Sequence, residues 1–373
     1  MTEMQINDIS LYNFRNYSFA EAEFDSGINI IYGLNGQGKT NLIEAVSYLS
    51  TGKAFRSRKD SVVIRFDCSE ACIRGNVICD GDPAVIEAKL FSAPAKKQIF
   101  INGVKQKTLS PLAGKFGTVL FCPEDMYLAK DSPAARRAFI DYAIEQLRPG
   151  YSEALKQYRK LLEHKTRILR DRDEKPSLLD ALDDFSIRMA QIGSVIISYR
   201  ASYMQKLNVF AGRIHNQISG EQETLDIEYK TVSTIADPLK PPQELFPLLE
   251  EHYFMRKTAE IESRTCLSGP HKDDLEIKVA GKPVKNYGSQ GQTRTAVLSM
   301  KLAERQMYKA DTGVCPVLLL DDVLSELDRK RRDYVLSRIE EGQVFITCTE
   351  KPPSGDLIAG KTLSVEGGNI TEG

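Results

Sequence analysis

Near its start the chain carries an eight-residue glycine-rich segment, Gly33-Leu34-Asn35-Gly36-Gln37-Gly38-Lys39-Thr40. It matches the pattern G-x-x-x-x-G-K-[ST] at every fixed position. An apolar run at 28–32 precedes it, and apolar side chains at helical spacing follow it over 39–49. Glycines in such a loop let successive backbone N–H groups face phosphates at the positive end of a helix. The pattern therefore predicts a strand, a nucleotide-binding loop and a helix.

A second apolar run, 317–320, ends in Asp321 and Asp322. A buried strand of this kind delivers an acid to the metal of a phosphate-binding loop, as a Walker B strand does. We expect Thr40 and Asp321 to hold Mg²⁺, and Lys39 to reach the β- and γ-phosphates of ATP. Asp322 is the expected general base. Because Asp321 comes 282 positions after Lys39, the two halves of the site flank a long insertion.

Composition excludes several classes of protein. The chain has 373 residues, of which 42% are hydrophobic and 27% charged, and a formal net charge of -1. This composition is globular, and any binding to nucleic acid must come from local basic patches. No apolar run is long enough to span a membrane and no secretory signal is evident, so we expect a cytoplasmic protein without membrane contact. Its seven scattered cysteines, none in a C-x-x-C pair, indicate reduced thiols.

The insertion is predicted to be helical. Ser132-Pro133 is typical of a helix start, and apolar residues recur at helical spacing over 151–169 and 182–210 around a polar break at 171–177. Two such helices predict a short antiparallel coiled-coil arm, although both helices could also belong to a bundle within an ordinary domain. We expect an ATPase head from 1–130 and 265–373, and a helical lobe from 131–264. Shorter patterns predict strands at 61–64, 98–101 and 343–347, and a helix over 291–307.

Two further motifs resemble those of ABC-type ATPases. Ser289-Gln290-Gly291-Gln292 precedes a helix and resembles the signature motif, and Ser325–Asp328 resembles the D-loop. In those ATPases the signature serine and glycine cap the γ-phosphate bound to the opposite subunit. The resemblance therefore implies that Ser289, Gly291 and Gln292 contact ATP across a dimer. Each tetrapeptide alone is equally compatible with an ordinary structural turn.

Taken together, the motifs are similar to those of the RecF family of SMC-like ATPases in bacterial recombinational DNA repair. Besides the motifs above, the matching segments are 11–17 (Leu-Tyr-Asn-Phe-Arg-Asn-Tyr), 123–125 (Pro-Glu-Asp), 136–137 (Arg-Arg), 269–274 (Gly-Pro-His-Lys-Asp-Asp), 289–294 and 319–328. The resemblance spans nearly the whole chain. It implies an α/β fold: an ABC/SMC-type head, with a mixed β-sheet and flanking helices, and an inserted helical lobe that carries the coiled-coil arm.

The same resemblance implies a function. Members of this family bind ATP and Mg²⁺, form homodimers with ATP, and bind DNA at gaps between single- and double-stranded regions. The family works with RecR and RecO to load RecA, in DNA repair, the SOS response to DNA damage and replication restart. We therefore expect an ATP-dependent DNA-binding protein of this class.

Three departures from the wider ABC pattern predict a weak ATPase that serves as a slow switch, and the family resemblance implies that DNA stimulates it. Asp322 stands where a longer glutamate is usual, and the segment 345–349 carries no histidine, so that a hydroxyl replaces an imidazole. The chain also has no glutamine at the position of the Q-loop, and residues 122–125 occupy that position instead. The shorter reach of Asp322 predicts slower activation of the attacking water, and all three changes fit a slow ATPase.

Basic residues cluster after the helix of the phosphate-binding loop, at Lys53, Arg56, Arg58 and Lys59. Such a cluster can neutralise DNA phosphates, although a run of charge is as often a solvated surface. The sequence leaves two further roles open. Arg15 has counterparts near nucleotide or DNA in SMC-like heads, and His271 sits in a Gly-Pro turn that is compatible with a purely structural role.

Two other functions compete with this interpretation. An ABC transporter ATPase subunit would share the nucleotide motifs and would co-purify with a membrane permease, but the coiled-coil insertion and the 11–17 segment argue against it. An SMC-like structural clamp without productive hydrolysis would share the fold. Measuring DNA-stimulated ATP hydrolysis distinguishes such a clamp from an ATP-driven switch.

Overall fold

The computed structural model describes residues 4–57, 59–93, 97–339, 341–351 and 360–373. The strands in this part of the chain are β1 (Met4–Phe14), β2 (Tyr17–Glu23), β3 (Ile28–Tyr32), β4 (Glu70–Cys79), β5 (Asp82–Phe91), β6 (Gln98–Ile101), β7 (Val104–Gln106), β8 (Thr118–Phe121), β9 (Leu225–Lys230), β10 (Asp274–Val279), β11 (Lys282–Pro283), β12 (Val317–Leu320), β13 (Val344–Cys348), β14 (Lys361–Glu366) and β15 (Asn369–Glu372).

The α-helices of the same residues are α1 (Lys39–Thr51), α2 (Pro133–Leu147), α3 (Pro149–Arg170), α4 (Leu182–Ser219), α5 (Pro242–Ser263), α6 (Val284–Tyr287), α7 (Gln290–Thr312), α8 (Val323–Glu326) and α9 (Arg329–Leu336). Ser132 caps α2, since its side chain accepts a hydrogen bond from the backbone N–H of Ala135, which confirms the helix start predicted there.

A mixed sheet in the order β15-β14-β3-β13-β12-β8 forms the centre of the molecule. All of its neighbouring strands are parallel except β14 and β15. β12 is apolar throughout because both of its faces are covered: Val317 and Leu319 pack into one hydrophobic core, Leu318 and Leu320 into the other. Since β3 and β12 both run parallel to β13, they end at the same edge of the sheet. This edge brings the phosphate-binding loop to Asp321.

An antiparallel sheet in the order β2-β1-β4-β5-β6-β7 packs with α1 around one of these cores. The turn between β6 and β7 has positive φ at Asn102 and Gly103, of 49° and 76°, which is typical of a tight hairpin turn. The strand predicted at 61–64 is wrong. Residues Asp60–Val63 form a 3-10 helix, tied to the head by hydrogen bonds from Arg15 to Val62 and from Tyr48 to Asp60.

The insertion contains the predicted pair of long helices. α3 and α4 pack together and are joined by residues 171–181, and α4 extends beyond the predicted range to Ser219. A third helix that the sequence did not reveal, α5, packs against α4, and α4 also packs against α7 of the head. β9 lies within the predicted lobe, but its partner β10 lies within the predicted head, so a small sheet crosses that boundary.

Two further expectations concern the whole chain. All seven cysteines lie in the described part of the chain, and none of them is paired in a disulfide there. Among the helices described above, none is long and apolar enough to cross a membrane.

Candidate nucleotide site

The predicted phosphate-binding loop lies between β3 and α1. β3 ends at Tyr32 and α1 begins at Lys39. Gly33 has a φ of 150°, and a Cβ at this position would lie 2.3 Å from the carbonyl oxygen of Val365. Gly38 has a φ of 126° and is the N-cap of α1. Only glycine fits these two conformations, so this backbone path depends on the glycines of the motif.

Lys39 is buried and lies against the loop. Its Nζ donates hydrogen bonds to the carbonyl oxygens of Gly33, at 2.7 Å, and Leu34, at 3.2 Å. Leu34, Asn35 and Gly36 are themselves exposed. The loop therefore presents its backbone to solvent with a single ammonium group behind it, which is an arrangement suited to phosphate.

Two other parts of the chain brace this loop through Gln37 and Gly38. The Asn16 side chain donates to the Gln37 carbonyl, at 2.7 Å, and the Tyr17 hydroxyl donates to the Gly38 carbonyl, at 2.9 Å. From the turn between β14 and β15, the Gly367 N–H donates to the Gln37 side-chain oxygen, at 2.6 Å. Sequence reasoning missed these contacts, although it noted the segment that contains Asn16 and Tyr17.

Arg15, whose role the sequence left open, supports the helix that follows the loop. Its guanidinium forms two hydrogen bonds with the carboxylate of Glu44 on α1, at 2.7 and 3.1 Å. Glu44 is fully buried, so this paired, bidentate contact satisfies a charge that would be costly to bury alone. Arg15 thus positions α1.

The expected metal ligands are joined directly. The Thr40 hydroxyl donates to Oδ1 of Asp321 at 2.9 Å, and the Thr347 hydroxyl donates to the same oxygen at 2.9 Å. Burial raises the pKa of Asp321, while the hydrogen bonds from Thr347 and Thr40 and the nearby Arg56 oppose that shift. Among the described residues, no three His, Cys, Asp or Glu side chains form a metal cluster. One carboxylate and one hydroxyl fit Mg²⁺, which takes its other ligands from phosphates and water.

Asp322 is held in an unusual conformation beside this pair. Its φ is 52°, a left-handed value that is uncommon outside glycine and often marks functional sites. Its N–H donates to the Thr347 hydroxyl, at 2.8 Å, and its carbonyl accepts from the Ser325 hydroxyl, at 2.7 Å. Thr347 therefore contacts both acidic positions, in the place where the sequence predicted a hydroxyl instead of a histidine.

The structure places the predicted DNA-binding residues in different surroundings. Arg56 lies 3.7 Å from Oδ2 of Asp321, at the nucleotide site. Lys53 forms an ion pair with Glu145 on α2, at 2.6 Å, whereas Lys59 is exposed. Arg58 lies outside the described residues. A DNA contact by this cluster stays a prediction.

The predicted signature residues are at the start of α7. Ser289 is the N-cap: its hydroxyl accepts from the Gln292 N–H at 3.1 Å, and its own N–H donates to the Gln292 side-chain oxygen at 3.0 Å. Within the described part of the chain, no hydrogen bond or ion pair links Ser289, Gly291 or Gln292 to residues 33–40. The signature and the phosphate-binding loop are thus separate sites of one chain.

The signature is tied to the D-loop segment. Arg331 of α9 donates to the Gly291 carbonyl at 3.1 Å and to the Thr295 hydroxyl at 2.8 Å. Arg294 of α7 pairs with Glu326, at 3.1 Å. These contacts hold the start of α7 and residues 325–331 as one unit.

Known proteins resemble this chain over nearly its full length. Residues 5–356 match the family described as RecF/RecN/SMC N terminal domain. A protein of Ruminiclostridium cellulolyticum described as DNA replication and repair protein RecF is 36% identical over 372 residues, which cover 98% of this chain and 99% of that protein. A protein of Clostridium kluyveri with the same description is 41% identical over 346 residues, which cover 93% of each chain.

Solved structures show the same likeness. One described as the recombination mediator protein RecF with ATP in the RecFOR pathway is similar with a TM-score of 0.91 at 34% identity, covering 100% of this chain and 98% of that one. An Smc head domain with an extended coiled coil, from Pyrococcus furiosus, shares the fold with a TM-score of 0.54 at 17% identity, covering 99% of this chain and 96% of that one. The predicted ABC/SMC-type head with a coiled-coil insertion is confirmed.

Proposed function

Because the chain belongs to the RecF family of DNA replication and repair proteins, we propose that it is a Mg²⁺-dependent ATPase that dimerises with ATP and then recognises gapped DNA. The observation that carries this proposal is the hydrogen bond of 2.9 Å between Thr40 and Asp321. It joins a complete phosphate-binding loop to a buried acid from the far end of the chain. A relative of this family has been solved with ATP.

Residues 33–40 bind the phosphates of ATP in this proposal. Lys39 provides the positive charge for the β- and γ-phosphates, and Thr40 and Asp321 hold Mg²⁺. Mg²⁺, when bound, neutralises charge on the β- and γ-phosphate oxygens. Asp322 accepts the proton of the attacking water, and its unusual backbone conformation holds it at the end of β12.

In this proposal a complete site needs two copies of the chain, because the phosphate-binding loop and the signature motif of one chain lie apart. The signature residues Ser289, Gly291 and Gln292 do not contact the phosphate-binding loop of their own chain. They cap the γ-phosphate bound to a second copy, and two such contacts close a symmetric dimer. Support comes from the start of α7, which is exposed at Ser289 and is held by Arg331 and Arg294.

Hydrolysis is slow in this proposal and times the release of the dimer. Asp322 is shorter than a glutamate, and the Thr347 hydroxyl cannot carry the positive charge that a histidine can. Both features favour a switch over a fast motor. DNA bound to the dimer stimulates this weak activity.

The remaining parts of the proposal rest on family membership. The protein works in the cytoplasm with RecR and RecO to load RecA on gapped DNA, in repair and replication restart. Residues 1–130 and 265–373 form the ATPase head and 131–264 the helical lobe. The exposed Lys59 contributes to the DNA contact, because exposed lysines attract phosphates without reading sequence.

The proposal is tested by binding to a fluorescent gapped duplex and to an intact duplex of equal length. We expect ATP with Mg²⁺ to tighten binding of the wild type to the gapped duplex by roughly tenfold or more, a typical coupling between two sites. The Lys39→Met variant should show no response to ATP, because it lacks the ammonium group. Equal affinity of the wild type with and without ATP would contradict the proposal.

A further inference from the structure

The turn between α4 and β9 contacts the signature motif through one carboxylate. α4 ends at Ser219, and the chain turns through Gly220 and Glu221, which both have positive φ, before reaching Glu223. Oε1 of Glu223 accepts a hydrogen bond of 2.6 Å from Nε2 of Gln292. The insertion therefore contacts the first turn of α7 directly.

This contact determines which way the Gln292 amide points. An ionised carboxylate only accepts hydrogen bonds, so the NH₂ group of Gln292 must face Glu223. The amide oxygen is then left for the Ser289 N–H, which donates to it at 3.0 Å. Without Glu223 the amide is free to rotate, and the hydrogen bond to Ser289 loses its fixed acceptor. The carboxylate thus sets the geometry of the N-terminal turn of the signature helix.

The hydrogen bond between Glu223 and Gln292 lies next to a cavity and not within a packed core. A cavity of about 320 Å³ lies beside this contact, lined by Ser219, Gln222 and Glu223 on one side and by Ser289, Gly291 and Gln292 on the other. The other carboxylate oxygen of Glu223 lies 3.8 Å from Nε2 of His215, which is beyond hydrogen-bonding distance. The body of α7 packs on α4, but its first turn faces the cavity.

We propose that Glu223 is a positioning residue for the signature motif, through which the helical insertion sets the geometry that captures ATP on a second copy of this chain. The inference rests on the proposed function, in which Ser289 and Gly291 cap the γ-phosphate of the partner. Glu223 does not touch ATP. It acts by holding Gln292, and therefore Ser289, in the orientation that the closed dimer requires.

The test compares ATP-dependent dimerisation with ATP binding by the monomer. Both are measured for Glu223→Ala, Glu223→Gln and the wild type, by sedimentation across protein concentrations and by titration of a fluorescent ATP analogue into dilute protein. Without Glu223 only a fraction of the monomers hold Ser289 in the orientation that the dimer requires, and a competent fraction of about one tenth weakens each composite site roughly tenfold. With two sites in the dimer, we expect half-dimerisation of Glu223→Ala at a protein concentration about a hundredfold higher.

Affinity of the Glu223→Ala monomer for the analogue should equal that of the wild type. The Glu223→Gln variant, whose amide oxygen can still accept from Gln292, should dimerise at an intermediate concentration. Gln222→Ala is the matched control, because Gln222 lines the same cavity but lies one residue away from the contact. It should dimerise like the wild type.

The outcomes separate this inference from the proposed function. If the wild type stays monomeric in ATP, the proposed function is wrong and the inference is wrong with it. If the wild type dimerises and Glu223→Ala does so at the same concentration, only the inference is overturned. Equal losses in Glu223→Ala and Gln222→Ala, or a loss of ATP affinity in the Glu223→Ala monomer, would also overturn it, since they indicate a general structural role.

Discussion

Thr347 illustrates what one hydroxyl does in this site. It donates to Asp321 and accepts from the N–H of Asp322, so a single side chain fixes both acidic positions. The sequence predicted that the segment 345–349 carries a hydroxyl in place of a histidine. It did not predict the two hydrogen bonds, because they depend on how β12 and β13 align in the sheet.

Other hydrogen bonds between distant residues could not be predicted from the sequence either. Glu44 lies 29 positions after Arg15, and Gln37 lies 330 positions before Gly367. Local patterns identify the motif residues that phosphate chemistry requires. They carry no information on which distant segment supplies the supporting hydrogen bond.

His271 is a partly buried histidine with a testable effect on stability. Its Nε2 donates to the Cys266 carbonyl, at 3.1 Å, and its Nδ1 accepts from the Tyr158 hydroxyl, at 2.8 Å. Burial lowers the pKa of His271 to about 4. Between about pH 6.5 and about pH 4 the unfolded chain therefore binds a proton that the folded chain does not, so stability falls as pH falls through this window.

We expect His271→Gln to flatten this dependence. The contribution lost in the wild type over the window is at most about 3 kcal/mol, and urea unfolding at several pH values between about 7 and about 4.5 measures it. His164→Gln is the control, since His164 is exposed on α3, and it should keep the wild-type slope. An identical pH dependence in His271→Gln and the wild type would contradict this account.

At the scale of elements, the missed helix and the wrong strand have physical causes. α5 starts at Pro242 and contains Pro247, and because proline inside a helix removes a backbone donor, the sequence pattern does not indicate a helix there. Residues 61–64 are rich in β-branched side chains, which favour strands, but hydrogen bonds from Arg15 and Tyr48 hold 60–63 as a 3-10 helix. In both places tertiary contacts outweigh local propensity.

A buried ion network joins the insertion to the head. Arg200 of α4 is 2% exposed. It pairs with Asp141 of α2, at 2.8 Å, and with Asp273, at 2.9 Å, and it donates to the Pro270 carbonyl at 2.6 Å. Removing Arg200 leaves the buried carboxylate of Asp273 without the cation that pairs with it, which is far costlier than losing a surface pair.

We expect Arg200→Met to lower the free energy of unfolding by about 3–5 kcal/mol, measured by urea denaturation. Arg148→Met is the comparison, because Arg148 pairs with Asp311 at 2.7 Å on the surface. An exposed pair contributes at most about 1 kcal/mol. Similar losses in the two variants would show that the buried network does not stabilise the junction.

At the scale of the whole molecule, the site forms because parallel strands end at one edge of the sheet. The sequence supports this prediction, because the phosphate-binding loop follows one apolar run and Asp321 follows another. The division into head and lobe remains a prediction. β9 and β10 form one sheet across it, and pairing between strands so far apart leaves no local trace in the sequence.

The most direct test of the account is a mixture of two inactive variants. Lys39→Met lacks the ammonium that binds ATP, and Ser289→Arg places a large side chain where the signature must approach the γ-phosphate of the partner. Neither should dimerise alone in ATP. A mixed dimer has one composite site with both changes and one with neither, so sedimentation of the mixture with ATP should show partial dimer and partial ATP hydrolysis. A mixture that stays monomeric and inactive, with both variants folded, would contradict the two-site dimer.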